Sequence, residues 1–259
     1  MTTILPVFKT CGVCGSVGEY EVLAATNSMG PPDLDMRPAP MARWTLGEQI
    51  QQCPDCGYCA RDIEQATAAT PGVVRNDAYQ AELDRVAYPE LTRKYLCASL
   101  VLSVAGDDGG AGRAALMGAW AADDIATVAP ADPMALVDDW GSALSEPLSP
   151  AEQARREAAA EAAAHCRRLA IGYFEADRKH GLTFAADEDT ADAMLADLHR
   201  RVGDFASARA CAQAGLDRGA NGFVREVFRY QLLLCDLGDT ACHNADEIGA
   251  DQGFSILLG

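Results

Sequence analysis

Polar and apolar positions change their rhythm at about residue 70. Before it, Tyr20, Val22 and Ala24 alternate with Glu19, Glu21 and Leu23, and Trp44, Leu46, Glu48 and Ile50 recur at every second position. A period of two predicts short half-buried strands. Between them, residues 27–40 hold Gly30, Pro31, Pro32, Pro38 and Pro40, which cannot continue a sheet or a helix and predict a loop. After Pro71-Gly72 the chain is alanine-rich and amphipathic, with no strong strand candidate. Ser149-Pro150-Ala151-Glu152 joins an N-cap serine, a proline at the first helical position and a glutamate able to reach back. A long helix to about Arg178 is predicted, with Ala154, Ala158, Cys166, Leu169, Ala170, Tyr173 and Phe174 facing inward, Glu152 paired with Arg156, and Gly181 at its end.

From Asp192 onward, Leu195, Ala196, Gly203, Asp204, Phe205 and Ala208 fall at tetratricopeptide-like spacing, with Gly203-Asp204 as turn and cap. A weaker copy places Tyr230 and Leu234 before Gly238-Asp239 and Ala241 beyond. Another helix pair is suggested by Leu96 and Leu100, a turn over Gly106–Gly112, then Leu116 and Trp120. The expected fold is mostly α with a small β zinc-ribbon: a ribbon domain over residues 1–70, carrying the inserted loop 27–40, then a tetratricopeptide-like helical domain over 71–259. The stretch from about Asp123 to Leu148 matches neither pattern.

Charge narrows the function. Thirty-eight acidic against 21 basic residues give a net charge of −17, which repels phosphate backbones and anionic lipid surfaces. The longest apolar run, from Tyr95 to Gly106, is far short of the roughly 20 residues that cross a bilayer. MTTILPVFKTC has no basic stretch followed by an apolar core and cleavage site, so a cytoplasmic location is expected.

Half of the ten cysteines lie in the first 60 residues. Cys11-Gly-Val-Cys14-Gly15 and Cys53-Pro-Asp-Cys56-Gly57 each present two thiolates on one tight turn, and four such sulfurs suit a tetrahedral ion. Zinc is the expected metal and iron the alternative, because tetrathiolate sites accept either. Cys59 completes a third C-x-x-C as an accessory thiol, expected to pack beside the ribbon as a small apolar residue. In the loop, Asp33, Asp35 and Arg37 form a candidate polar site, with solvated charges and a local Arg–Asp pair as the simpler expectation.

These residues resemble an uncharacterised bacterial family, the domain of unknown function 2225, on Cys11, Cys14, Asp33, Asp35, Cys53, Pro54, Cys56, Gly57 and Tyr58, followed by helices. Gly12 stands where that family commonly has proline, and Cys59 where it has alanine. The resemblance implies a zinc ribbon with a helical tail and carries no known activity.

Four cysteines close a metal's coordination sphere, so no catalysis is expected there. His165, His180, His199 and His243 lack metal-binding or catalytic spacing, and Gly106–Gly112 carries acids where a phosphate would sit. Up to Ala60, three basic residues face six acidic ones, which argues against a nucleic-acid ribbon. The leading expectation is therefore a zinc-binding adaptor, not an enzyme, whose helices take a protein or peptide partner, basic if charge steers it. A rubredoxin-like iron or redox-active thiol protein is the alternative, and a nucleic-acid-binding ribbon the second. The identity of the partner and the oligomeric state are not encoded in any motif.

Overall fold

The computed structural model describes residues 2–127 and 148–250. It opens with a hairpin of β1 (Thr3–Thr10) and β2 (Val17–Ala25), whose turn is the first cysteine knuckle. The second knuckle joins two much shorter strands, β3 (Gln51–Gln52) and β4 (Cys59–Ala60). Strand β2 follows the expected alternation as far as Val22, with Tyr20 buried and Val22 half-buried between exposed Glu19 and Glu21, but Ala24 is exposed. The strand expected over Trp44 to Ile50 does not form: two single 3-10 turns, Ala42–Trp44 and Gly47–Gln49, occupy it. Leu46 and Ile50 are buried while Trp44 is exposed, so the effective spacing is four residues, a turn period read as a strand period.

Helices follow: α1 (Thr70–Val74), α2 (Asp77–Leu83), α3 (Glu90–Val104), α4 (Asp108–Thr127), α5 (Pro150–Lys179), α6 (Glu188–Arg201), α7 (Phe205–Asp217), α8 (Gly222–Leu237) and α9 (Glu247–Ala250). The fold is thus mostly helical with a small β ribbon. Among the described residues, no helix is long and apolar enough to cross a membrane. Residues 128–147, most of the stretch that the sequence left unassigned, lie outside the described residues, and so do 251–259.

Helix α5 begins as its sequence dictates: Ser149 Oγ accepts the Glu152 amide at 3.2 Å, and Arg156 Nε lies 3.4 Å from Glu152. Its inward stripe matches expectation at Cys166, Ala170 and Phe174 and shifts only in the first half of the helix. Ala154 is exposed, whereas Ala159, Ala162, Ala163, Cys166, Ala170 and Phe174 are buried. The α3–α4 pair forms, but the turn is confined to Ala105–Asp107, and Gly109, Gly110 and Gly112 belong to α4. Gly112 is needed there because a Cβ would stand 2.5 Å from the Phe174 ring, so glycine sets how closely α4 and α5 approach.

Helices α6 and α7 form a hairpin in which Gly203 takes φ +82° and Asp204 caps the Ser207 amide at 3.1 Å. Ala208 is wholly buried; Phe205, in the first turn of α7, is only half-buried. The weaker copy fails after α8. Gly238 ends that helix in the left-handed region as expected, yet Ala241 starts no helix, because the chain instead runs back along the 27–40 loop.

Two apolar clusters result. One runs from Cys53, Tyr58 and Ile63 of the ribbon through α3, α4 and α5 to Leu198; the other gathers around Phe228 and includes Leu34 of the loop. Tyr79 and Tyr95 fasten the ribbon from the helical side, donating their hydroxyls to the carbonyls of Gly57 at 2.9 Å and Leu46 at 2.8 Å.

Candidate metal centre and a buried ionic joint

The two knuckles share one backbone design. In the first, the Cys11 amide donates to Ser16 O at 2.8 Å and the Gly15 amide to Cys11 O at 2.9 Å; in the second, Cys53 donates to Tyr58 O at 2.8 Å and Gly57 to Cys53 O at 2.9 Å. Gly15 and Gly57 adopt φ +76° and +74°, the left-handed conformation that closes each turn and that glycine adopts at no steric cost. The second glycine has a further reason, since a Cβ on Gly57 would meet Leu83 at 2.6 Å.

These turns bring together the four sulfurs expected as ligands, Cys11, Cys14, Cys53 and Cys56, all within 4.8 Å of one another. Cys11 Sγ lies 3.7 Å from Cys56 Sγ, and Cys14 Sγ 3.6 Å from Cys53 Sγ. A tetrahedral thiolate site with ligand bonds of about 2.3 Å has an edge of roughly 3.8 Å, so the cage fits one ion. Burial pushes the Cys56 thiol up; at Cys53 burial acts the same way, but amide donors from Cys56 and Asp55 outweigh it and hold that thiol below its ordinary value, so Cys53 is the one of the pair that favours the thiolate a metal needs. Ser16 bonds Asp55 across the two knuckles. Gly12 donates its amide to Ile63 O at 2.9 Å and would place a Cβ 2.6 Å from Glu64 O. Proline has no such donor, so glycine here ties the first knuckle to the segment that follows the second.

Cys59 stands outside the sulfur cage. It is fully buried, its amide donates to the Tyr79 hydroxyl at 2.9 Å, and its side chain packs in the core with Cys97. This is the packing role expected of it.

The loop departs from expectation. Asp33, Asp35 and Arg37 are not solvated but buried. Met36 takes φ +67°, and the Asp33 amide donates to Arg37 O at 2.9 Å, folding the segment into a tight turn that points Asp35 and Arg37 into the helices. Arg37 does not form a side-chain pair within the loop; its Nη2 reaches both oxygens of Asp124 on α4 at 2.7 Å. Asp35 accepts Trp120 Nε1 at 2.8 Å and Arg201 Nη1 at 3.2 Å. Arg201 also holds Asp123 at 3.1 Å, and Asp123 is bonded in turn by Arg167 of α5. Asp33 pairs with Arg43 at 2.5 Å, and the Leu34 amide donates across to His243 O at 3.0 Å.

Three carboxylates and three guanidinium groups thus meet between the loop, α4, α5 and α6. Burial, with Asp197 nearby, pushes Asp35 above the ordinary carboxylate range despite Arg201 and Arg167. For Asp123, burial acts the same way, but the guanidinium groups of Arg167 and Arg201 outweigh it and hold the carboxyl low. A neighbouring knot links Arg200, Asp197 and Gln231, with Arg200 Nη2 2.6 Å from Asp197 and Arg200 Nε 3.0 Å from Gln231. Removing such charges from water is costly and is offset only by dense mutual pairing.

Trp120, Asp123, Asp124, Arg167 and Arg201 complete the joint and belong to none of the site motifs in the sequence. One signal was present: Arg167 lies on the apolar stripe of α5, between Cys166 and Ala170, where a cation must be paired.

Searches of family models, curated proteins and solved structures return no match to this chain.

Proposed function

We propose that this chain is a zinc-binding adaptor of the family it resembles, in which a structural zinc ribbon is locked to a helical body that engages a protein partner. The observation that carries the reading is the sulfur cage: four thiols at tetrahedral edge lengths fill an ion's coordination sphere and leave no position for a substrate or water. Around it, Tyr79, Tyr95 and the ionic joint spend their polar groups on holding ribbon and helices together. A cleft of about 640 Å³ between the starts of α3 and α5 and the end of α4, walled by Tyr88, Leu91, Ile125, Arg93, Asp124 and Arg155, is a concave surface among the described helices. The cytoplasm, which keeps thiols reduced, suits such a site.

Metal analysis with an absorption spectrum of the purified protein tests the centre: one zinc and no colour support the proposal, while red protein holding iron replaces it with electron transfer. Partner capture tests the adaptor role. Variants Tyr88→Ala and Arg155→Glu should weaken it, and turnover of a small molecule that survives removal of trace enzymes would overturn it.

A further inference from the structure

The hairpin above the first knuckle is unlike the rest of the surface. Ile4, Leu5, Val7, Phe8 and Val17 are all exposed, Phe8 to 74% and Val17 to 66%. They are five of the 15 large exposed apolar residues among those described, on two strands that make up a small part of the chain. Among the described residues, strand β1 pairs with β2 on one side only. Among the described residues, no backbone hydrogen bond reaches Thr3 to Lys9 from the other side.

The polarity of that free edge follows from two residues. Pro6 has no amide hydrogen to give to β2, and the Thr10 amide turns outward to Glu64 Oε1 at 3.2 Å. In an antiparallel strand the amide and carbonyl of one residue point the same way and alternate along the chain. Ile4 and Phe8 therefore offer outward donors, while Ile4, Pro6 and Phe8 offer outward carbonyls. An edge of this length without a cover is a template for another strand.

Charge selects the occupant. Cross-strand pairing sets Phe8 beside Glu19 and Pro6 beside Glu21 on one face, both glutamates exposed, and Glu64 closes the end of the edge. The strand's own cation, Lys9, is engaged with Asp62 at 2.7 Å. A second copy of the chain fits poorly. Antiparallel pairing centred on Pro6 would set two donorless prolines against each other, between molecules that each carry −17.

We propose that the outer edge of β1 is a docking site for an extended basic segment of another protein, which adds to the hairpin as a third strand. Apolar residues of the segment cover Ile4 and Phe8, and lysine or arginine side chains reach across Pro6 to Glu19 and Glu21. Backbone bonds supply affinity and the alternating side chains supply selectivity, the usual division in strand addition. The proposal stands independently of the helical cleft, since it uses none of the cleft's residues.

The test uses the full metal-loaded chain and a fluorescent eight-residue peptide with threonine at odd positions and valine and lysine in turn at even positions, so that both fall on the face of Ile4 and Phe8, read by anisotropy at low and high salt. Expected are saturable binding that weakens with salt and new protection of the Ile4 and Phe8 amides against hydrogen exchange. Phe8→Pro removes an outward donor and an apolar contact at an exposed position, and should weaken binding about tenfold or more. Phe8→Ala, which keeps the donor, should weaken it less, and Glu19→Lys with Glu21→Lys should abolish the salt dependence. Binding that Phe8→Pro leaves unchanged, or peptide binding without protection of those amides, would overturn the proposal. Self-association of the unmodified chain that Phe8→Pro abolishes would overturn it too, by giving the edge to a second copy.

Discussion

The sulfur cage and the ionic joint solve opposite problems. In the cage, each pair of ligands sits three residues apart on one turn, so local backbone geometry prepares half of the site before the halves meet. In the joint, apart from the Arg37 amide that donates to Asp35 at 3.2 Å, the pairing is long-range. Arg37 and Asp124 are 87 residues apart, Trp120 and Asp35 are 85, and Arg201 and Asp35 are 166. The cage binds by ligand chemistry and tolerates a simple scaffold, whereas the joint is held only when every element around it is already in place. A short motif can be written for the first and none for the second.

Removing a ligand should have the largest effect. Cys53→Ser is expected to lose the metal and to unfold the ribbon, because a structural tetrathiolate site supplies on the order of 10–16 kcal/mol to small units that depend on it. Metal content and hydrogen exchange over residues 2–60 report it; retention of full occupancy would remove Cys53 from the cage. Cys59→Ser should leave occupancy unchanged.

Breaking the joint comes next. Arg201→Met strands Asp35 and Asp123 without one of their cations and should cost about 3–5 kcal/mol, measured by urea unfolding, with the metal still bound. If the loss is below about 1 kcal/mol, the joint is as dispensable as a surface ion pair.

Acid separates the two carboxylates of the joint. Asp123, held low in the folded state, stabilises at neutral pH, and that contribution is lost as pH falls through its folded pKa. Asp35, raised, has the opposite sign: its contribution is present in acid and is lost as pH rises through its folded pKa. Asp35→Asn removes the compensation, so stability should fall more steeply on acidification than in the unmodified chain. A shallower fall, followed by urea midpoints across the acidic range, would contradict the assignment.

Two smaller effects test what the sequence made plain. Ala208→Trp, at a fully buried position on α7, should cost about 1–3 kcal/mol by overpacking. Ser149→Ala should cost about 1 kcal/mol through loss of the cap on α5, with no effect on metal content. An unchanged melting temperature in the first would mean that the helix pair repacks freely.

Legibility followed the range of the interactions. The ligands, the cap at Ser149 and the Gly203-Asp204 turn each depend on neighbours within a few residues, and they were readable. Strand β1 was not anticipated at all, because its apolar residues face solvent and carry no burial pattern. Trp44 to Ile50 misled through a chance alternation, since burial there follows a turn. Asp33, Asp35 and Arg37 looked like solvated loop charges because proline and glycine mark a loop by backbone alone and say nothing of where it lies. Only the position of Arg167 in the stripe of α5 hinted that countercharges had to arrive from elsewhere.

The placement of the 27–40 loop also bears on how the chain can be divided. Cutting near residue 70, where composition changes most sharply, leaves Asp35 and Arg37 on one fragment and Asp123, Asp124, Arg167 and Arg201 on the other. Each piece would then expose charges shaped to fit its counterpart. Two such fragments are poor modules to transplant separately and a natural pair for reassembly, with the severed loop as the recognition element between them.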